Sequence, residues 1–382
     1  MKDLDEANLE QYLDKLEQAI DLDWERGKFE TWKRVLDFEP QPEPFVPAEP
    51  QNGADPGDWP VGQTGTSRCA PPGKRLRQGS TVADTTPSGW PKIGVNEAIR
   101  DMEKMLLQQL SRVYRNACVK NLQPLAIRCN YGTGILPSLF GAEPFWMDDE
   151  LDTLPTNRPL EGPDAVGRLI ERGVPDLDGG FGGKVFETAE FYKEVLSPYP
   201  GIREAVWIYH PDLQGPIDVV ELLWGSPMYY AFYEEPQKVK DITGLVTETY
   251  VRYLRRWFET VPEKDPVYSA HWDLFHKGRV MLRDDSIVNL SPEMYQEFVK
   301  PYDDRILAEF GGGAIHFCGK ADHCIDLMTD SEHLTLVNMS QPEMNDMERI
   351  HAATVGKGVI LNAPYREETM SGLDLRRGVV IT

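Results

Sequence analysis

The residues whose types and spacing best suit chemistry are His316 and Cys318, in the run GGGAIHFCG (311–319). The run reads as a strand, and positions two apart on a strand share a face, so an imidazole and a sulfur can hold one ion. Ile315 and Phe317 then point the other way, toward packing helices. Gly311, Gly312, Gly313 and Gly319 leave room for close approach. Zinc suits such nitrogen and sulfur ligands; it would hold the sulfur as thiolate, and a catalytic ion keeps one position open for substrate. Against this stands a plain alternative: HxC is a short pattern, and cysteine is a common buried residue with no metal at all.

A strand needs neighbours, and eight runs read as strands: Phe45-Val46, PLAIRCNYG, EAVWIYH, RVMLRDD, GAIHFCG, LTLVNM, GVILN and GVVIT. Between most of them lie stretches of helical periodicity, among them 96–117, 184–196, 216–224, 235–259 and 291–310. Such alternation predicts a parallel sheet, and eight units over this length predict a closed (β/α)8 barrel of the TIM type. An open doubly wound sheet is the alternative, although no GxGxxG marks a strand-to-helix turn. Residues 1–39 read as a helical extension and 40–382 as the barrel. Within it, 61–94 is rich in Gly, Ser, Thr and Pro and nearly free of large apolar residues, and it reads as a mobile insertion. A second, loop-rich insertion covers about 136–183.

In such a barrel the site lies where the strands end. That rule selects Asp285, His210 and Asp212 as candidate catalytic groups, with Asp284 beside the first. Arg128, Asn130, Gln214 and Asn338 become candidate substrate-binding groups. Asp284 and Asp285 read equally as a solvated pair ahead of the helix at Ser291. His210 reads equally as a hydrogen-bonded histidine at a strand end. His323 and Cys324 read as helix residues rather than ligands.

The net charge is −22, from 62 acidic and 40 basic residues. That field repels phosphates and anionic lipid, so neither nucleic acid nor membrane is an expected partner. No run approaches the ~20 apolar residues of a membrane helix, and residues 1–23 lack the regions of a signal peptide. The five cysteines (69, 118, 129, 318 and 324) are scattered and odd in number, which fits a reducing cytoplasm.

The block DDSIVNLSPEMYQEFVKPYDDRILAEFGGGAIHFCG (284–319) resembles the uroporphyrinogen decarboxylase superfamily, which includes the methylcobamide:coenzyme M methyltransferases. HPDLQGPIDVVELLWGS (210–226) is similar to its Gly-Pro strand-to-helix turn, and NEAIRDMEKMLLQQL (96–110) is a looser match. The resemblance spans about 96–365 and implies a (β/α)8 barrel. The decarboxylase branch carries an RQAGRY-like arginine motif, of which RLRQG (75–79) is a poor imitation. The methyltransferase branch binds zinc through HxC and a further cysteine near the last strand. His316 and Cys318 match the first two ligands, whereas GVILNAPY (358–365) contains no cysteine.

The leading expectation is therefore zinc-dependent methyl transfer to a thiol, from a methylated small molecule or a corrinoid, with a corrinoid protein as a possible partner. Uroporphyrinogen decarboxylation, in which Asp285 or Asp212 steadies the substrate, is the alternative. A non-catalytic barrel binding a tetrapyrrole or a protein is a third reading.

Overall fold

A computed structural model describes residues 9–48, 87 and 89–382. Its eleven strands are β1 (Ala126–Ile127), β2 (Pro144–Phe145), β3 (Thr156–Asn157), β4 (Trp207–Ile208), β5 (Tyr268–His271), β6 (Leu274–Lys277), β7 (Val280–Arg283), β8 (Gly313–Phe317), β9 (Leu334–Met339), β10 (Ile360–Ala363) and β11 (Val379–Ile381). Five of them form one parallel sheet in the order β11-β10-β9-β8-β7, and Phe45 extends the row through a parallel bridge to Val380. β1 and β4 form a separate parallel pair.

All eight segments read as strands are thus extended and parallel to a neighbour, but their ladders make a row and a pair rather than a hydrogen-bonded ring. What the pairings establish is an α/β fold with a five-stranded parallel sheet. Single bonds span the seams: Leu122 N–H donates to Pro47 O at 2.8 Å and Gly215 N–H to Arg283 O at 2.7 Å.

Alternation along the strands divides the interior in two. Val280, Leu282, Ile315, Phe317, Val337 and Leu361 belong to a large core shared with the helices. Met281, Ala314, Leu336, Ile360 and Val380 belong to a second, smaller core on the opposite face. Strands buried on both faces explain the near-continuous apolar runs in their sequences.

The second core is filled by elements outside the strand row. Trp32, Val35 and Leu36 of the helix Leu22–Leu36 enter it, with Trp32 Nε1 donating to Leu122 O at 2.6 Å. So do Tyr268, Ala270, Leu274 and Phe275, from an antiparallel hairpin of β5 and β6 that periodicity did not reveal. Its two-residue turn is Trp272-Asp273, and Trp272 adopts φ +50° where Asn or Gly is usual. Trp in the left-handed position weakens the turn signal that Asp273 offers, so the segment passes unnoticed between a helix and a strand.

The loop-rich region 136–183 contains β2, β3 and the helix Ala165–Arg172, and the next helix begins at Gly180 rather than Lys184. The insertion at 61–94 lies mostly outside the described residues. Its end does not: Trp90 is buried, stacks on Tyr114 and donates from Nε1 to Leu107 O. No helix among the described residues is long and apolar enough to cross a membrane.

His276 of β6 is fully buried, and its Nδ1 lies 3.0 Å from Lys277 O. Burial lowers its pKa from 6.5 to about 4. The unfolded chain takes this proton near pH 6.5 and the folded chain refuses it until about 4, so the histidine costs stability as pH falls through that window. Its share is roughly 1.4 kcal/mol per pH unit. Urea titrations should therefore show a shallower loss of stability for His276→Leu than for the wild type between those pH values. Parallel slopes would contradict the assignment.

Candidate metal centre

His316 sits on β8 with the parity of Ala314, so it faces the second core rather than the helices, as the spacing predicts. Cys318 follows two residues later. His316 Nε2 lies 3.2 Å from Cys318 Sγ. The register pairs Arg283 with His316, which puts Asp285, two residues further along, beside Cys318. Cys318 N–H donates to Asp285 Oδ1 at 2.8 Å, and that oxygen is 3.8 Å from His316 Nε2. One ligand atom from each of Asp285, His316 and Cys318 lies within 4.8 Å of the other two.

A chain of side-chain amides fixes the imidazole. The register aligns His316 with Asn338, Asn338 with Asn362 and Asn362 with Val380, across β8, β9, β10 and β11. Val380 O can only accept, so Asn362 Nδ2 donates to it, at 3.0 Å. Asn362 Oδ1 then accepts from Asn338 Nδ2, and Asn338 Oδ1 accepts from His316 Nδ1–H. The proton is held at Nδ1, and the Nε2 lone pair is left facing Asp285 and Cys318. Burial lowers the His316 pKa, against the opposing pull of Asp285, so the ring is set to be neutral.

The exit of β7 is fixed from below. Asp218, in the first turn of the helix Pro216–Trp224, accepts from Asp285 N–H and Ser286 N–H, both at 2.8 Å. Burial raises the Asp218 pKa well above the usual carboxylate range, and Asp285 and Asp284 push it further. Gly215 lies against Asp284, where a Cβ would collide with its carboxylate. Gly319, at φ +86°, supplies the left-handed residue just after Cys318.

The other candidate residues divide by what they touch. Asn338 orients His316 rather than standing open to a substrate. Asp284 is fully buried beside Asp303, and burial and that neighbour push its pKa well up. Asp212 is buried but lies among donors: Arg128 Nη1, Arg283 Nη1 at 3.1 Å and Trp272 Nε1 at 3.0 Å, with His271 Nε2 at 3.3 Å. Burial raises its pKa, and Arg128 and Arg283 overcome that and hold it well below the usual range. This carboxylate is a structural node, and Arg128 is spent on it.

His210 also has both nitrogens engaged. Nδ1 donates to Pro211 O at 2.9 Å, and Nε2 accepts from Met281 N–H at 3.0 Å, which bridges the seam between β4 and β7. Burial lowers its pKa to about 4. Asn130 and Gln214 are both buried. His323 contacts Leu290 O at 2.9 Å, and Cys324 caps the helix Ile325–Met328.

Three residues near the site escaped the sequence. Asn362 ends its strand as Asn338 does, and that repetition was the available signal. Asp218 and Trp272 gave none. Trp272 stands edge-on to the His316 ring, with centroids 5.0 Å apart, and the Arg283 guanidinium lies over its indole at 5.0 Å.

No family model matches the chain. No curated protein matches it either. Among solved structures it is similar to a methyltransferase from Methanosarcina mazei, at 16% identity and a TM-score of 0.53, covering 71% of this chain and 72% of that one. At that identity the likeness is one of fold alone: this chain and that protein share an α/β architecture.

Replacing Asn362 by leucine removes the last donor of the amide chain without touching a ligand. Outer partners of metal ligands typically contribute 10–100-fold in affinity. Competition with a chromogenic chelator should show zinc held more weakly by Asn362→Leu, by up to about the tenfold expected for loss of the direct partner Asn338. Unchanged affinity in a folded variant would contradict the orienting role.

Proposed function

We propose that the chain is a zinc-dependent methyltransferase in which Asp285, His316 and Cys318 hold the ion. The carrying observation is their convergence. A carboxylate oxygen, an imidazole lone pair and a sulfur converge on one point, a set of donors suited to a divalent cation such as zinc. The likeness of fold supports the reaction class only by analogy. When bound, zinc lets a thiol lose its proton near neutral pH and so become a nucleophile. The protein's own residues hold and orient: Asn338 keeps the His316 proton at Nδ1, Asp218 holds the turn carrying Asp285, and Trp272 limits the space beside the ring.

In this reading the third ligand comes from the exit of β7, not from a cysteine near the last strand. The row of six and the pair of two belong to one eight-membered (β/α)8 ring whose seams are closed by loops and by His210. The resemblance to the uroporphyrinogen decarboxylase superfamily follows its methyl-transfer branch. The methyl donor is then a methylated small molecule or a corrinoid, delivered in the latter case by a corrinoid protein, and the reaction belongs to the cytoplasm. Decarboxylation of a polycarboxylate has less support, because Arg128 and Arg283 are both committed to Asp212.

A second reading has a specific observation behind it. His316 Nε2 at 3.2 Å from Cys318 Sγ, with Asn338 behind the ring, is also the arrangement of a cysteine nucleophile, its base and an orienting amide. Asp285 weighs against it, because a carboxylate beside the sulfur disfavours a free thiolate.

Metal analysis of the purified full chain separates the two. About one zinc per chain is expected, falling sharply in His316→Ala, Cys318→Ser and Asp285→Ala. A metal-free protein whose Cys318 reacts rapidly with iodoacetamide would overturn the zinc reading and favour the nucleophile.

A further inference from the structure

Away from the metal centre, a cavity of about 470 Å³ opens beside β4, on the side where that strand has no ladder to β7. This lies within the ~300–1,000 Å³ typical of small-molecule sites. Its walls are predominantly apolar, with Leu196, Val206, Trp257 and Val261 beside the polar Ser197, Ser269 and His210. Successive ring contacts separate it from the metal centre: His210 to His271 at 4.6 Å, His271 to Trp272 at 4.9 Å and Trp272 to His316 at 5.0 Å.

The rim has a different chemistry. Lys193, Arg203, Lys264 and Arg279 line it, against the single carboxylate of Glu263. Arg279 pairs with Glu263 at 2.6 Å, and Lys193 pairs with Glu190 at 3.0 Å. Arg203 and Lys264 are in another position. Among the described residues no ion pair engages either one, and the Lys264 ammonium donates only to the carbonyls of Arg203 and Glu204. Those bonds bring the two residues together at the end of the helix Pro200–Ala205. Glu204, the acid acting on Lys264, is itself paired with Arg26. In a chain of net charge −22, the opening thus keeps a local excess of positive charge that favours an anion.

We propose that this cavity binds a medium-chain monocarboxylate, with its tail among Leu196, Val206, Trp257 and Val261 and its carboxylate between Arg203 and Lys264. The predominantly apolar walls disfavour a sugar or a polyphosphate, most of whose polar groups would lose water without partners. Two cations at the rim match one carboxylate. The assignment goes beyond methyl transfer and does not rest on it.

Calorimetric titration of the full chain with decanoate tests it, with decanol as the uncharged control. Saturable binding near one decanoate per chain is expected, with decanol at least about tenfold weaker, and Arg203→Glu should weaken decanoate by at least about tenfold. Arg203 is exposed, so the fold should survive the change, which thermal melting can verify. Val261→Trp, which fills the interior, should abolish binding. No saturable binding, decanol as tight as decanoate, or full affinity in both variants would each overturn the proposal.

Discussion

The site depends on the direction of one row of hydrogen bonds. A backbone carbonyl cannot donate, so Val380 O sets the orientation of Asn362, Asn362 sets Asn338, and Asn338 sets the His316 proton at Nδ1. Parallel register makes the row possible, because four successive strands bring these residues into line. Buried amides without partners would each cost about 1–3 kcal/mol, so the row is stable only when every member is engaged. A coordinating nitrogen is thereby aimed before any ligand arrives.

The same economy governs the surroundings. The strand face turned from the helices needs something to cover it, and the β5–β6 hairpin and Trp32 do so. The hairpin tip then brings His271 and Trp272 up to Asp212 and His316. Asp212, surrounded by donors from Arg128, Arg283 and Trp272, ties the exits of several elements together near His316. One partner alone would leave a buried charge exposed to a large penalty; the full set does not.

Much of this was legible in the sequence, and the reasons for the rest are physical. Strand parity alone placed His316 and Cys318 on one face with Ile315 and Phe317 on the other, because that inference needs only period two. All eight strand candidates contain residues paired in parallel, since apolar runs between helices read clearly. Asp285 was visible as a strand-exit acid but not as a neighbour of Cys318, which depends on inter-strand register. For His210 the sequence left a catalytic group and a hydrogen-bonded strand-end histidine equally open, and for Asp212 it hid the surrounding donors, because a sequence shows a side chain and not its partners. The hairpin was hidden by a Trp272-Asp273 turn whose left-handed position holds Trp rather than Asn or Gly.

The His316 ring proton sits at Nδ1 in this arrangement, and nitrogen-15 NMR of that ring in metal-depleted protein measures it directly. A neutral ring protonated at Nδ1 near pH 7, converting to the opposite tautomer or a mixture in Asn338→Leu, is the result this account requires. A wild-type ring protonated at Nε2 would contradict it, because no lone pair would then face Asp285 and Cys318.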